Sequence, residues 1–391
     1  MKINVTITLL LCVVESFQIS AQTDSGAINK DEAIPILKLN GYIKELNIFT
    51  VPIAPIKFQY TQLVHNRINM KLAANKVSAA LEIRNRFFWG DAPRGKSSFL
   101  KQLKNQHEWM DLSHAWLSKN NAVMHSNIER FWMEYREEKW SVKAGRQRIN
   151  WGMNNSWNPN DIFNSYNMFD FDYEERAGVD GIRFQYQPKE FTGLELALRL
   201  GRKPNETTTA IKYNFNHQSY DWQMLAGIYN NNITAGIGWQ GSIGEMGFKG
   251  ETQAFKRKFH PGYLINSSIE MDYILKNGWY LFTAILYNGQ GITKPLRDWS
   301  GLSFENNPEN LMPTRWNLIG GCTKEIETLF TCRISIVYAP FANLMIIIPS
   351  LTYGIATNVD VDFFAQSYLA QTEGKFKAIS HSIFIRGKWS F

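Results

Sequence analysis

Residues 145–186 gather four arginines and a set of carboxylates among aromatic side chains: Arg146, Arg148, Arg176 and Arg183 with Asp161, Asp172, Glu174 and Glu175. Opposed guanidinium and carboxylate groups across a narrow passage select solutes by sign and orient polar ones. The same charges can equally form ion pairs that only pin a loop. The composition leaves both uses open. Trp157, Phe163, Tyr166, Phe169, Phe171 and Tyr173 give the stretch 152–177 enough apolar surface to pack against a wall or into a lumen. Its acids do not follow the ligand spacing of a calcium loop.

Other candidate chemistry does not survive its context. Gly236-Ile237-Gly238-Trp239-Gln240-Gly241 has the glycine spacing of a dinucleotide turn, but no helix follows it. Ser113-His114 and His381-Ser382 pair a nucleophile with a base type, yet neighbours on a strand point to opposite faces. The seven histidines are scattered without zinc-ligand spacing. No catalytic residue, metal site or cofactor is therefore assigned, and an enzyme is not expected. The net charge of +7 comes from 42 basic and 35 acidic residues spread along the chain, with no basic block to suggest nucleic acid.

The elements that must position these charges read as strands. In 76–89, Leu81, Ile83, Phe87 and Trp89 alternate with Glu82, Arg84 and Arg86. In 126–136, Phe131, Met133 and Tyr135 alternate with Arg130, Glu134 and Arg136. Segments 191–200 and 208–216 repeat the pattern, with Glu195, Arg199 and Lys212 on their polar faces. Segments of about ten residues match tilted membrane-crossing strands. Short connections near 73–75, 137–139, 188–190, 217–219, 241–243, 276–277, 326–327 and 354–357 alternate with longer ones such as 90–125, 152–177 and 290–313. Together these features predict an all-β, transmembrane antiparallel β-barrel of about 18 strands, with 16 as the smaller alternative. Aromatics make up 14% of the chain at a mean hydropathy of -0.29. That combination suits strands with one greasy and one polar face. On strand parity, Arg84, Arg86, Arg130, Arg136 and Arg199 face the lumen, whose basic excess hints at anion preference.

At the N-terminus, Lys2, the apolar stretch Ile3 to Val14 and Ser20-Ala21 read as an export signal over 1–21, ahead of a single barrel domain over 22–391. Beyond the leader, Cys322 and Cys332 flank a turn near Glu327. They fit small lipid-facing positions better than a disulfide. The chain closes on Ile383, Ile385, Trp389 and Phe391 on one strand face, opposite Phe384, Arg386, Lys388 and Ser390.

That ending resembles the closing strand of Gram-negative outer-membrane barrels. The resemblance implies that Trp389 and Phe391 act as an assembly signal read by the barrel assembly machinery. A strand ending in Gly145-Arg146-Gln147, then Trp151-Gly152 and a long Asn/Asp/Pro-rich loop, resembles alginate-export-type and related porin-like barrels. It implies a charged lumen narrowed by inward-folded loops. The expected function is a porin-like channel in the bacterial outer membrane for polar or anionic small solutes, with 152–177 as constriction. An export conduit working with periplasmic partners is the alternative. Expected partners are outer-membrane lipid, the assembly machinery and small polar solutes. A homo-oligomer is left open.

Overall fold

The computed structural model describes residues 36–391 except 53–56, 95–98, 101–102, 104–107, 165–176, 259–260 and 296–306. The export signal expected over 1–21 lies outside the described residues, as do Asp172, Glu174, Glu175 and Arg176.

Alternation of apolar and polar side chains builds β1 (Ile36–Pro52), β2 (Gln59–Ala74), β3 (Val77–Gly90), β4 (Ser113–Lys119), β5 (Ala122–Arg136), β6 (Trp140–Gln147), β7 (Val179–Lys189), β8 (Thr192–Arg199), β9 (Thr208–His217) and β10 (Tyr220–Tyr229). The chain continues through β11 (Asn232–Ile243), β12 (Met246–Lys256), β13 (Tyr263–Ile274), β14 (Trp279–Asn288), β15 (Trp316–Glu327), β16 (Phe330–Ala339), β17 (Leu344–Ala356), β18 (Val359–Thr372) and β19 (Lys375–Ser390). Each strand pairs antiparallel with its neighbour, and β1 pairs with β19 from Tyr42↔Ser390 to Pro52↔Ser380. The sheet therefore closes on itself, which leaves no open edge.

Eighteen strand positions make the closed wall. β4 is an extra piece: it pairs with β5 over 122–127, while β6 takes the same edge of β5 over 131–136. The expected long loop 90–125 thus contains a short strand and a tight turn at Asn120-Asn121. One break in alternation falls in β5, where a bulge beside Glu82 and Ile83 puts both Glu129 and Arg130 on the buried face.

Connections at one rim are short: 75–76, 137–139, 190–191, 218–219, 244–245, 275–278, 328–329 and 357–358. The opposite rim carries the long ones, including 91–112, 148–178 and 289–315. Left-handed residues such as Asn75 (φ 50°) and Asn358 (φ 62°) make the tight turns possible.

The outer face is apolar along most of the wall, with Phe131, Ile182, Leu196, Ile211, Met224, Ile285 and Ile336 exposed. Two aromatic bands flank it. At the short-turn rim Tyr135, Trp140 and Phe184 form one run and Trp222, Trp239 and Phe248 another. At the opposite rim lie Phe87–Trp89 and Tyr287–Trp316, with ring centroids 5.2 and 4.9 Å apart. In β19, Ile383 and Ile385 are exposed, as is Phe391 just beyond it, while Arg386 turns to the other face and pairs with Asp362 at 2.7 Å.

Cys322 and Cys332 are free thiols. Cys322 stands opposite Ile334 and Cys332 opposite Lys324. Diagonal neighbours of this kind sit roughly 7–8 Å apart, beyond the reach of a strain-free disulfide. Both thiols should take up a maleimide in protein unfolded without reductant; a mass showing neither labelled would contradict this register.

Candidate lumen and its inserted segments

The inner face is where the charged side chains lie. Lys44, Arg67, Glu82, Arg84, Arg86, Glu129 and Arg130 are all buried on β1–β5. Arg67 pairs with Glu82 at 2.5 Å and Arg84 with Glu129 at 2.8 Å. Arg86 donates to the carbonyl of Leu103 at 3.3 Å. Arg386 continues this basic strip on β19, as does Lys388, which lies over the Tyr42 ring. Arg136 shares the face but sits at the end of β5, with its side chain 64% exposed and 2.6 Å from Glu134.

The described part of the long connection after β6 lies along the inner face of β7–β17. Ile149, Trp151, Ile162 and Phe163 pack against Val179, Ala197, Ala210, Leu225 and Phe255. Farther along, Trp157 joins Leu286, Leu311, Met312 and Ile346. Burying an aromatic of this size contributes about 1.5–3 kcal/mol, so apolar packing alone gives the segment a defined seat.

Backbone N–H groups leaving β-structure need acceptors, and wall carboxylates supply them. Glu251 accepts N–H bonds from Met153, Asn154 (2.8 Å) and Asn160 (2.9 Å). Glu270 accepts from Asn155 (3.1 Å) and Ser156 (2.9 Å). On β8, Glu195 accepts the Trp151 indole N–H at 2.7 Å, and on β10 Gln223 donates to the Trp151 carbonyl at 2.9 Å. Gly236 and Gly238 explain themselves here. A Cβ at Gly236 would come within 2.5 Å of Asn160 Oδ1. The bare backbone lets Asn160 donate to the Ile237 carbonyl at 3.0 Å. The glycine pattern that resembled a nucleotide turn is the seat of the inserted segment.

The arginines and acids singled out in the sequence take different environments. Arg146 is 1% exposed and forms a two-pronged pair with Asp180, at 2.7 and 2.9 Å. It also donates to the carbonyls of Ile128 (3.1 Å) and Met110 (2.6 Å). Asp161 is fully buried and accepts the Trp151 N–H at 3.4 Å. Arg148 is exposed, and Ile149 and Trp151 on either side of Asn150 hold the wall. Arg183 stands 3.9 Å from Glu195, and Arg199 2.9 Å from Glu108. Sequence reasoning did not single out Glu251, Asp180, Glu108 or Gln223. Glu108 lies outside the strands on the connection after β3, and burial raises its pKa against the opposing pull of Arg199.

Two further segments line the inner face. Phe99 and Leu103 pack on Leu46, Leu63, Phe88 and Phe364. Near 307–314, Asn266 donates to the Pro308 carbonyl at 2.9 Å, and Asn288 to the Met312 carbonyl.

No family model and no curated protein matches the chain. Several solved structures share its fold. Acinetobacter baumannii OccAB4 superposes with a TM-score of 0.59 at 9% identity, over 92% of this chain and 99% of that one. OccAB1 from the same organism gives 0.57 at 9%, over 91% and 96%. The outer membrane protein OprD from Pseudomonas aeruginosa gives 0.57 at 8%, over 92% and 95%. At such identity the likeness establishes the fold alone, a closed antiparallel barrel that in this chain has 18 strand positions.

Proposed function

We propose that the chain is a porin-like channel of the bacterial outer membrane, passing small polar and anionic solutes. The observation that carries this reading is the division of the inner face. A basic strip from β19 through β5 looks across at a segment pinned to the wall by carboxylates that are already spent on its N–H groups. Backbone N–H dipoles offset part of the charge of those acids, and the basic side chains of the strip outnumber the acids Glu82, Glu129 and Asp362 paired within it, so the strip gives the passage a net positive field. The apolar outer face between two aromatic bands suits a bilayer, and small polar solutes need the polar interior it encloses. Nothing in this reading asks for catalysis. Trp389 and Phe391 serve as the signal for the assembly machinery.

Within this channel, residues 148–164 are the constriction, with Arg148 and Arg183 as its basic charges; Arg146 and Asp161 hold the frame. The segment 145–152 also resembles alginate-export-type barrels, but a polymer conduit would need these segments withdrawn from the wall.

Planar-bilayer recording tests the proposal. Under a salt gradient the wild type should show ohmic steps and a reversal potential of the anion-preferring sign. Arg148→Ser with Arg183→Ser should move it toward cations. A reversal potential unmoved by the double substitution would remove these residues from the constriction, and a silent barrel would defeat the channel reading itself.

A further inference from the structure

The outward side of the wall is not uniform. Between their ends, the outward positions of β9–β14 carry no Asn, Gln, Asp or Glu. Apart from the aromatic bands, the polar groups there are Thr and Ser that satisfy themselves locally. Thr252 lies 2.8 Å from Ser267, and Thr283 donates to the Ile319 carbonyl at 3.0 Å.

The outward face of β1–β5 is built otherwise. Lys44 and Leu46 are buried on the inner face, so Glu45 and Asn47 alternate with them on the outer one. Gln62 stands across from Asn47, and Asn85 across from Asn66. Side-chain hydrogen bonds tie these groups into two runs. In one, Trp116 donates its indole N–H to Ser126 at 2.8 Å, Ser126 donates to Asn85 at 2.6 Å, and Asn85 to Asn66 at 3.2 Å. In the other, Gln62 donates to Glu45 and Tyr60 to Asn47, the latter at 2.7 Å.

Depth makes this arrangement costly in lipid. Glu45 lies between Ile43, which stands opposite Trp389 near the short-turn rim, and Phe49, whose ring is 5.1 Å from Tyr60 toward the other rim. The carboxylate thus sits inside the apolar belt, and its described partner is the neutral amide of Gln62. Hydrocarbon offers such groups no hydrogen bond, and a charge on the lipid face destabilises a barrel according to its depth. Amides and a carboxylate gathered on one sector, and absent from the outward face of β9–β14, mark a side that meets protein.

We propose that the outward face of β1–β5 is an interface between copies of this chain. A second copy fits because every Asn and Gln there carries both donors and an acceptor, so the patch complements itself. Its flanks also differ in charge: Glu45 lies on β1, whereas His114 and Lys119 point outward on β4. Copies arranged head to tail about an axis along the membrane normal bring opposite flanks together. Trp116, 65% exposed with its ring centroid 4.6 Å from that of His114, is the kind of side chain that anchors such contacts.

The proposal rests on the membrane setting of the channel reading, but photo-cross-linking tests it without conduction. A benzophenone amino acid in place of Asn66, in the full chain in its membrane, should on irradiation yield a covalent product of two copies. The same probe in place of Ile269, outward on β13, should not. Adding Glu45→Leu and Asn85→Leu makes the face fit for lipid and should cut the yield by roughly tenfold, the scale of hydrogen bonds lost across an interface. Retained heat-dependent gel mobility shows that the barrel of each variant is intact. No two-copy product at position 66 overturns the proposal, and so does an equal yield at position 269. A product with a different protein overturns the choice of partner, and a yield unmoved by the leucines overturns the role of the polar patch. If copies are joined while bilayers stay silent, the channel reading fails and the interface stands.

Discussion

Replacing Glu251 and Glu270 together with alanine should release the inserted segment and raise single-channel conductance, with added current noise from a segment no longer fixed. The two carboxylates accept N–H bonds from Met153, Asn154, Asn155, Ser156 and Asn160. A buried N–H left without an acceptor costs about 1–3 kcal/mol, so the segment loses on the order of several kcal/mol. Packing of Trp151, Trp157 and Ile162, with the bonds of Trp151 to Glu195 and Gln223 and of Asn160 to the Ile237 carbonyl, then has to hold it. The substitution also removes two negative charges from the inner face. The Glu251→Gln/Glu270→Gln pair separates the two effects, because it loses the charge but keeps an oxygen acceptor at each site. A rise in conductance with alanine that glutamine largely spares identifies pinning as the cause. Equal conductance in the wild type and both variants would show that apolar packing suffices, and the carboxylates would lose their assigned role.

The same bonds mark the boundary of what the amino-acid sequence shows. Strand parity placed Arg84, Arg86, Arg130, Arg199, Glu195 and Lys212 on polar faces, because alternation is a local signal carried within each strand. Short turns at that rim were legible for the same reason: Asn75 and Asn358 take left-handed conformations that few other residues tolerate. What a carboxylate does on the inner face is not local. Glu251 meets partners at 153, 154 and 160, nearly a hundred positions away, and nothing in its own strand announces them. Glu195 therefore reads as a lumen charge although one of its oxygens accepts the Trp151 indole of the inserted segment. Gly236 and Gly238 show the same limit, because their context rejected a nucleotide turn without showing what they do. Their spacing suggested a phosphate turn, but their use is an absence of side chains on the inner wall where Asn160 must fit. β4 was missed because Ser113–Lys119 is only seven residues long and shares the edge of β5 with β6.

Arg146 gives the second large effect, and it is one of stability. Its guanidinium joins β6 to Asp180 on β7, to Ile128 on β5 and to Met110 on the connection after β3. Asp180 in turn donates its N–H to Glu108 at 2.8 Å and accepts the Met110 N–H at 2.7 Å. Removing one partner of a buried pair leaves the other charge uncompensated and costs about 3–5 kcal/mol. Arg146→Met should therefore lower the temperature at which the protein loses its compact gel mobility, more than Arg148→Ser does. The deficit should depend on pH. Burial raises the Glu108 pKa, so the folded barrel holds that proton at higher pH than the unfolded chain does. Acidification through that range favours the fold, while at neutral and alkaline pH Glu108 and Asp180 face each other as carboxylates without Arg146 between them. The Arg146→Met variant should thus recover part of its loss as the pH falls. Adding Asp180→Leu should recover part of it at every pH, since the unpaired charge itself is then gone. A single variant as heat-resistant as the wild type would show that Arg146 is dispensable to the frame, and a double variant worse than the single would show that the cost lies in packing and not in the orphaned carboxylate.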